Sequence, residues 1–189
     1  MNEKLNIVII ASTTRKLRQS IKAARLVEEV AHELPEINSI FVDVADYFPL
    51  PGEGNDPESK DPRWIAINQQ ADAYFIVAPE YNHSFPGSLK MLLDNDLGNY
   101  THKPVNLAGV SSSIFGGARM IENILHPLRE LGMVVTFSDV YFPKVEELFS
   151  ETEDKSKEIA AQKERISKAY KELIWMTKAL KWGRQNLPS

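Results

Sequence analysis

Five short apolar stretches recur along the chain, and longer stretches with a helical spacing of apolar residues separate them. The first, third and fourth are almost continuously apolar, which is typical of strands buried on both faces of a sheet. We predict strands at Leu5–Ala11, Ser39–Val44, Ala73–Ala78, Val105–Ser111 and Val134–Val140.

Helical patterns fill the spaces between these strands. Their apolar residues recur at spacings of three and four, as on one face of an amphipathic helix. The predicted helices cover residues 21–34, a segment starting at Pro62, a segment starting near Pro86, and residues 118–128 and 154–182. Asp61 is suited to cap the second helix, Trp64 should face the core, and Gly183 is a plausible end of the last helix.

Strand and helix alternate five times, which predicts a parallel sheet with helices on both faces. Right-handed crossovers leave few topologies, and five strands fit the order 2-1-3-4-5. We therefore predict an α/β fold, a flavodoxin-like three-layer sandwich. All 189 residues should form one domain, with a core at about 5–140, an acidic connection at 143–154 and the final helix.

Composition narrows the possible chemistry. The chain has no cysteine, which excludes disulfides, thiolate metal sites and a cysteine nucleophile. Its net charge of −4 disfavours sequence-independent nucleic-acid binding. No apolar run approaches the roughly 18–20 residues that span a bilayer, and we see no signal peptide. We expect a cytoplasmic protein with no metal and neither nucleic acid nor a membrane as partner.

A sheet of this order places its ligand beyond the carboxyl ends of the strands, where the order reverses between strands 1 and 3. The loops after strands 1, 3 and 4 should converge there. The first loop, residues 11–20, is rich in hydroxyls and cations and leads into a helix start, where a phosphate can bind. It lacks the dinucleotide and P-loop glycine patterns, so a mononucleotide phosphate fits better. A simple helix cap with solvated cations fits the same residues.

The other two loops also combine stiffness with polar groups. Prolines and a glycine bracket a polar–aromatic tip at residues 79–87, which suits a flat heterocycle. The serine-rich loop at 111–118 ends in Gly116 and Gly117, which permit close approach to a ligand. Each loop alone also fits an ordinary turn, but three such loops at one predicted position favour a binding site.

Residues 79–90 read PEYNHSFPGSLK. This segment closely resembles the signature of the NADPH-dependent FMN reductase family. The resemblance extends to the phosphate loop at 12–20 and to the glycine pair at 116–117, and it covers about residues 5–140. There are departures: Ala11 stands at a usual glycine, an extra residue lies near Thr13, and Met91 replaces an asparagine.

The resemblance implies a dimeric or tetrameric protein that binds FMN. It implies hydride transfer from NAD(P)H to the flavin, and then reduction of a quinone, azo compound, metal oxyanion or free flavin. No side chain is assigned as a certain catalyst; Tyr81 and Asn82 would shape the flavin face. Phosphate contacts are implied for Ser12, Arg15, Arg18, Gln19 and Ser20, ring contacts for Pro79, Glu80, Tyr81 and Asn82, and contacts at the other ring edge for Ser111, Ser113 and Gly116.

Two alternatives stay open. One is a flavodoxin-like electron carrier, which the glycine-free first loop and the modest charge disfavour. The other is a flavin-binding sensor without NAD(P)H turnover. The last helix adds a separate feature: Trp175 and Trp182 lie seven residues apart, hence on nearly one face. That face can pack on the sheet or form a subunit contact.

Overall fold

A computed structural model describes residues 4–52, 54 and 56–188 of the chain. Two short 3-10 turns lie between the second strand and the second helix, at Val44–Tyr47 and Pro57–Ser59. The strands are β1 (Leu5–Ala11), β2 (Ile37–Asp43), β3 (Ala73–Pro79), β4 (Pro104–Val110), β5 (Val134–Val135) and β6 (Val140–Phe142). The helices are α1 (Ser20–His32), α2 (Pro62–Gln70), α3 (Gly87–Asp94), α4 (Ala118–Glu130), α5 (Val145–Leu148) and α6 (Ser156–Asn186).

The strands form one parallel sheet in the order β2-β1-β3-β4-β5, and β6 also pairs with β4. The predicted flavodoxin-like order is therefore confirmed. Side chains of β1 alternate between two cores. Ile7 and Ile9 pack with α1 and α6, whereas Val8 and Ile10 pack with α2, α3 and α4. This two-sided burial explains the continuous apolar run in β1.

The predicted fifth strand is divided into β5 and β6, so the sheet has six strands instead of five. The cause is a buried asparagine in β4. The Asn106 side-chain amide donates to Thr136 Oγ1 at 2.6 Å and to the Ser138 carbonyl at 3.0 Å. The Asn106 side chain thus takes the place of the backbone hydrogen bonds that would join β4 to the segment between β5 and β6.

The start of α2 is as predicted. Asp61 accepts a hydrogen bond from the Arg63 amide at 2.9 Å, and Pro62 occupies the first turn. Trp64 is fully buried, and its indole N–H donates to the Tyr100 hydroxyl at 3.1 Å. The cap and the buried ring together fix where α2 lies on the sheet.

The prediction that Gly183 ends the last helix is wrong. Helix α6 continues to Asn186, and the Leu187 amide still donates to the Gly183 carbonyl at 2.8 Å. The helix ends instead just before Pro188, because proline disfavours a helical conformation in the residue that precedes it. A glycine inside a helix costs only about 1 kcal/mol, which the packing of α6 on the sheet offsets.

A buried lysine lies at the amino end of the sheet, beside the start of β4. Lys103 donates from Nζ to the Asn68 carbonyl at 2.6 Å. Burial, and to a lesser extent the nearby Arg184 guanidinium, lower the pKa of this lysine to about 8. The folded chain therefore releases this proton at a lower pH than the unfolded chain does.

We expect wild-type protein to gain stability relative to a Lys103→Met variant between pH 7 and pH 10, by roughly 1–2 kcal/mol after allowance for solvent screening. The sign follows because the unfolded chain binds more protons than the folded chain over this range. Urea unfolding at several pH values measures the difference. Lys168→Met, at an exposed lysine, is the control. A wild-type minus variant difference that stays constant with pH would contradict the prediction.

Candidate functional site

A cleft lies at the carboxyl ends of β1, β3 and β4. Its volume is about 580 Å³, including the part open to solvent, which is within the usual range for small-molecule sites. The three loops predicted to converge do meet here. Eight of the twelve predicted site residues line the cleft, namely Arg15, Arg18, Gln19, Ser20, Pro79, Glu80, Tyr81 and Ser111.

The other four predicted residues do not line this cleft. Ser12 is fully buried below it, and its hydroxyl donates to the Val77 carbonyl at 2.9 Å. Ser113 lies 3.1 Å from Ser111, hydroxyl to hydroxyl, and so shapes the loop. Gly116 is buried, and Asn82 lies on an exposed turn beside the cleft.

Helix α1 begins at the cleft without a cap. Among the described residues, no side chain accepts from its first amides, and its first turn holds no acidic residue. The first N–H groups of a helix have no partner within it, and they carry the positive end of the helix dipole. Gln19 and Ser20 therefore present hydrogen-bond donors to an anion in the cleft.

The two arginines of the first loop differ in their pairing. Arg18 forms an ion pair with Asp43 at the end of β2 and donates to the Arg15 carbonyl at 3.4 Å. Arg15 has no carboxylate partner within the described part of the chain, and its guanidinium carbon lies 5.8 Å from the Tyr81 ring centroid. Arg15 is thus the first-loop arginine whose charge is left for a ligand.

The loop after β3, called the third loop below, folds as a two-residue turn. The Tyr81 amide donates to Ser84 at 2.8 Å, and the Ser84 amide donates back at 2.9 Å. Asn82 and His83 between them have φ angles of 49° and 64°, as a type I′ turn requires. Their own amides have no hydrogen-bond partner within the described ranges. The turn therefore holds two backbone donors free beside the cleft.

Hydrogen bonds tie the first and third loops together. The Tyr81 hydroxyl lies 3.2 Å from Thr13 Oγ1. The hydroxyl of Ser88, at the start of α3, donates to the Ser12 carbonyl at 3.0 Å. Because these bonds cross between segments distant in sequence, the cleft has a fixed shape before any ligand binds.

Glu80 anchors the third loop to α4. Its carboxylate is almost fully buried and pairs with Arg119 at 2.7 Å, and it also accepts from the Arg119 amide at 3.3 Å. A buried carboxylate needs such a partner. The side chain of Glu80 is therefore committed to holding the loop.

Packing within the protein requires the glycine pair at 116–117. Both residues have positive φ angles, of 61° and 86°. A Cβ on Gly116 would lie 2.9 Å from the Tyr141 Cβ, and one on Gly117 would lie 2.5 Å from the Val110 amide nitrogen. Close approach to β4 and β6 therefore requires glycine at both positions.

Sequence reasoning missed one wall of the cleft. Ser112, Val145 and Glu146 line it, although residues 143–154 read as a solvated acidic connection. The Val145 amide donates to the Ser111 carbonyl at 3.1 Å, which fastens α5 to the loop after β4. Charge composition carried no signal of this contact, because it depends on backbone groups.

Two absences hold for the part of the chain that the structure describes. No group of three or more histidine, aspartate or glutamate side chains is placed to bind a metal ion. No helix combines the length and apolar character needed to cross a membrane.

The curated relatives of this chain are described as quinone reductases. A quinone reductase of Escherichia coli K12 is 33% identical over 127 residues, which are 63% of this chain and 66% of that protein. A quinone reductase of Pseudomonas putida KT2440 is 28% identical over 125 residues, which are 62% of this chain and 66% of that protein. The matches therefore span a little under two thirds of the relatives' length.

Solved structures share the fold at low identity. An oxidoreductase of Corynebacterium diphtheriae has a TM-score of 0.73 at 18% identity, over 94% of this chain and 99% of that one. A flavoenzyme NAD(P)H:(acceptor) oxidoreductase of Paracoccus denitrificans has a TM-score of 0.65 at 20% identity, over 87% of this chain and 98% of that one. At such identity these likenesses concern the fold alone.

The family model described as NADPH-dependent FMN reductase matches residues 5–147, from β1 through most of α5. The match includes all three loops of the cleft and the PEYN segment that carried the resemblance. The chain belongs to the NADPH-dependent FMN reductase family.

Proposed function

We propose that this chain is an FMN-dependent oxidoreductase that takes a hydride from NAD(P)H and reduces a quinone, azo compound, metal oxyanion or free flavin. The observation that carries the proposal is the cleft itself. Among the described residues, an uncapped helix start and an arginine without a carboxylate partner line it, and a turn with two unbonded backbone N–H groups lies beside it. The printed descriptions of the relatives, quinone reductase and oxidoreductase, support this reaction class.

The phosphate end of FMN fits the first loop. Arg15 supplies a charge with no carboxylate partner among the described residues, and the first turn of α1 supplies N–H groups with no acidic residue nearby in that turn. Ser20 adds a hydroxyl at the same end of the cleft. Such a set binds a dianion through charge-assisted hydrogen bonds.

The flat ring of FMN fits the third loop. Pro79 and Tyr81 give the wall a stiff, partly apolar surface. The free N–H groups of Asn82 and His83 are preorganised donors, and they would stabilise negative charge that develops beside them. Glu80, held by Arg119, keeps this loop in place.

The bound flavin would supply the hydride chemistry in this enzyme. The chain's own part is to place the ring, neutralise the phosphate and donate hydrogen bonds.

Purified protein loaded with FMN should be bleached by NADPH or NADH under anaerobic conditions, and the colour should return on addition of a quinone. Absorbance in the flavin bands measures both steps. A protein that binds FMN but is not reduced by either nucleotide would be a carrier or a sensor. Failure to bind FMN at all would overturn the proposal.

Arg15→Ala should weaken FMN binding roughly 10–100-fold and should leave riboflavin binding nearly unchanged, because the lost contacts are with phosphate. Titration of flavin fluorescence measures both affinities. Arg18→Ala should have the smaller effect on FMN, because Asp43 already neutralises Arg18.

Arg25→Ala is the matched control for this pair. Arg25 packs on the Phe41 ring and pairs with Glu28, away from the cleft. Equal loss of FMN and riboflavin affinity in Arg15→Ala would mean that Arg15 does not bind the phosphate.

We also propose that the chain forms the homodimer or homotetramer that the resemblance implies. Large apolar side chains are exposed on the loops beside β4 and β6, with Phe137 82% exposed and Ile114 70%. Two residues after Phe137, Asp139 Oδ1 is buried with no hydrogen-bond partner among the described residues, and burial raises the pKa of Asp139 to about 6. A second copy covering this region would remove the apolar surface from water.

The cytoplasmic location stays a prediction.

Phe137→Asp should shift the protein toward monomer, because it places a charge in the apolar contact. Light scattering after size-exclusion chromatography measures the molar mass. Leu97→Asp, an exposed leucine elsewhere, should leave the mass unchanged. A wild-type protein that is monomeric at high concentration would contradict this prediction.

A further inference from the structure

The first loop carries a large apolar side chain at the rim of the cleft. Leu17 lines the cleft and is 96% exposed, so its isobutyl group gains almost nothing from packing within the chain. It lies three residues before Ser20, the first residue of α1. The leucine is therefore close to the helix start, where an anion can bind.

The backbone at Leu17 is also unfavourable for a leucine. Its φ angle is 56°, in the left-handed region that glycine accepts and a residue with a Cβ resists. The amides of Lys16 and Leu17 have no hydrogen-bond partner within the described part of the chain. Successive free N–H groups in a turn of this kind suit an anion. That explains the backbone conformation, but it does not explain the choice of leucine.

Strain and exposure thus coincide at one residue. Glycine at position 17 would remove the strain, and a polar residue would remove the exposed apolar surface. Within the folded chain alone, leucine offers neither advantage. Its side chain gains a contact only when another molecule lies against it in the cleft.

The charges of the cleft indicate which part of a ligand lies beside Leu17. Of the charged side chains that line the cleft, Arg15 and Glu146 have no ion pair among the described residues. Arg15 is on the same loop as Leu17. Glu146 is on α5, which the Val145 amide fastens to the loop after β4. Strand β3 separates β1 from β4, so about 10 Å lies between the starts of these two loops. Leu17 is on the cationic side.

We propose that Leu17 covers the phosphate of bound FMN and shields its contact with Arg15 from water. The inference rests on the proposed function, which puts the phosphate at the first loop. An ion pair is stronger where water is excluded, and a covered pair is screened less by salt. The leucine also slows release of the flavin, because departure exposes its side chain to water again. Leu17 is thus a specificity-determining residue for flavins that carry a phosphate.

Two variants separate the side chain of Leu17 from its backbone strain. Leu17→Ala removes the cover and keeps a Cβ at positive φ, whereas Leu17→Gly removes both. We expect both variants to release FMN about five to ten times faster than the wild type. Flavin fluorescence after dilution of the FMN-loaded protein measures the rate. Without flavin, Leu17→Gly should melt a few degrees above Leu17→Ala. Leu97→Ala, at an exposed leucine beyond α3, is the control and should release FMN as the wild type does.

Salt and riboflavin give readouts that a merely structural role would not move. When sodium chloride is raised from about 0.05 M to about 0.5 M, FMN affinity should fall roughly three times further in Leu17→Ala than in the wild type. Riboflavin has no phosphate, so its affinity should change less than about twofold in either variant. Titration of flavin fluorescence measures these affinities.

Release of FMN at the wild-type rate from Leu17→Gly would overturn the inference and leave the proposed function intact. Equal loss of FMN and riboflavin affinity would also overturn it, because the leucine would then lie over the ring. A smaller molar mass of Leu17→Ala would assign the leucine to a contact with a second copy and refute the cover. Wild-type protein that does not bind FMN would remove the proposed function and this inference together.

Discussion

Burial of β1 on both faces is the constraint on which the rest of the structure depends. The strand pairs with β2 on one edge and β3 on the other, so its backbone polar groups are satisfied inside the sheet. Its side chains from Ile7 to Ala11 are almost completely buried and are therefore apolar on both sides. Where β1 ends, the chain meets the gap left by the reversal of strand order. The first polar loop therefore opens into a cleft at that point.

The cleft combines a rigid frame with unsatisfied donors. Cross-links such as Tyr81 to Thr13 and Glu80 to Arg119 fix the loops. Among the described residues, the helix start and the Tyr81–Ser84 turn leave N–H groups without partners. The family's flavin supplies the redox chemistry, and the chain supplies its placement.

Neutralisation within the chain decides which charges are available to a ligand. Arg18, Arg119 and Lys178 each meet a carboxylate of another element. Arg15, at the cleft, does not, among the residues described. The proposed contact with the flavin phosphate thus depends on a cation that has no carboxylate partner in the described part of the chain.

The sequence by itself determined the sheet order, the loops that converge and the family, because apolar periodicity and the PEYN segment are local signals. Tertiary structure decided what depends on contacts between distant segments. It paired Arg18 with Asp43, buried Ser12, brought Glu146 to the cleft, divided the fifth strand at Asn106 and gave the glycine pair a packing role. A side chain's type shows which bonds it can make. Only the fold determines which partner comes within hydrogen-bond distance, and so which groups remain free to bind.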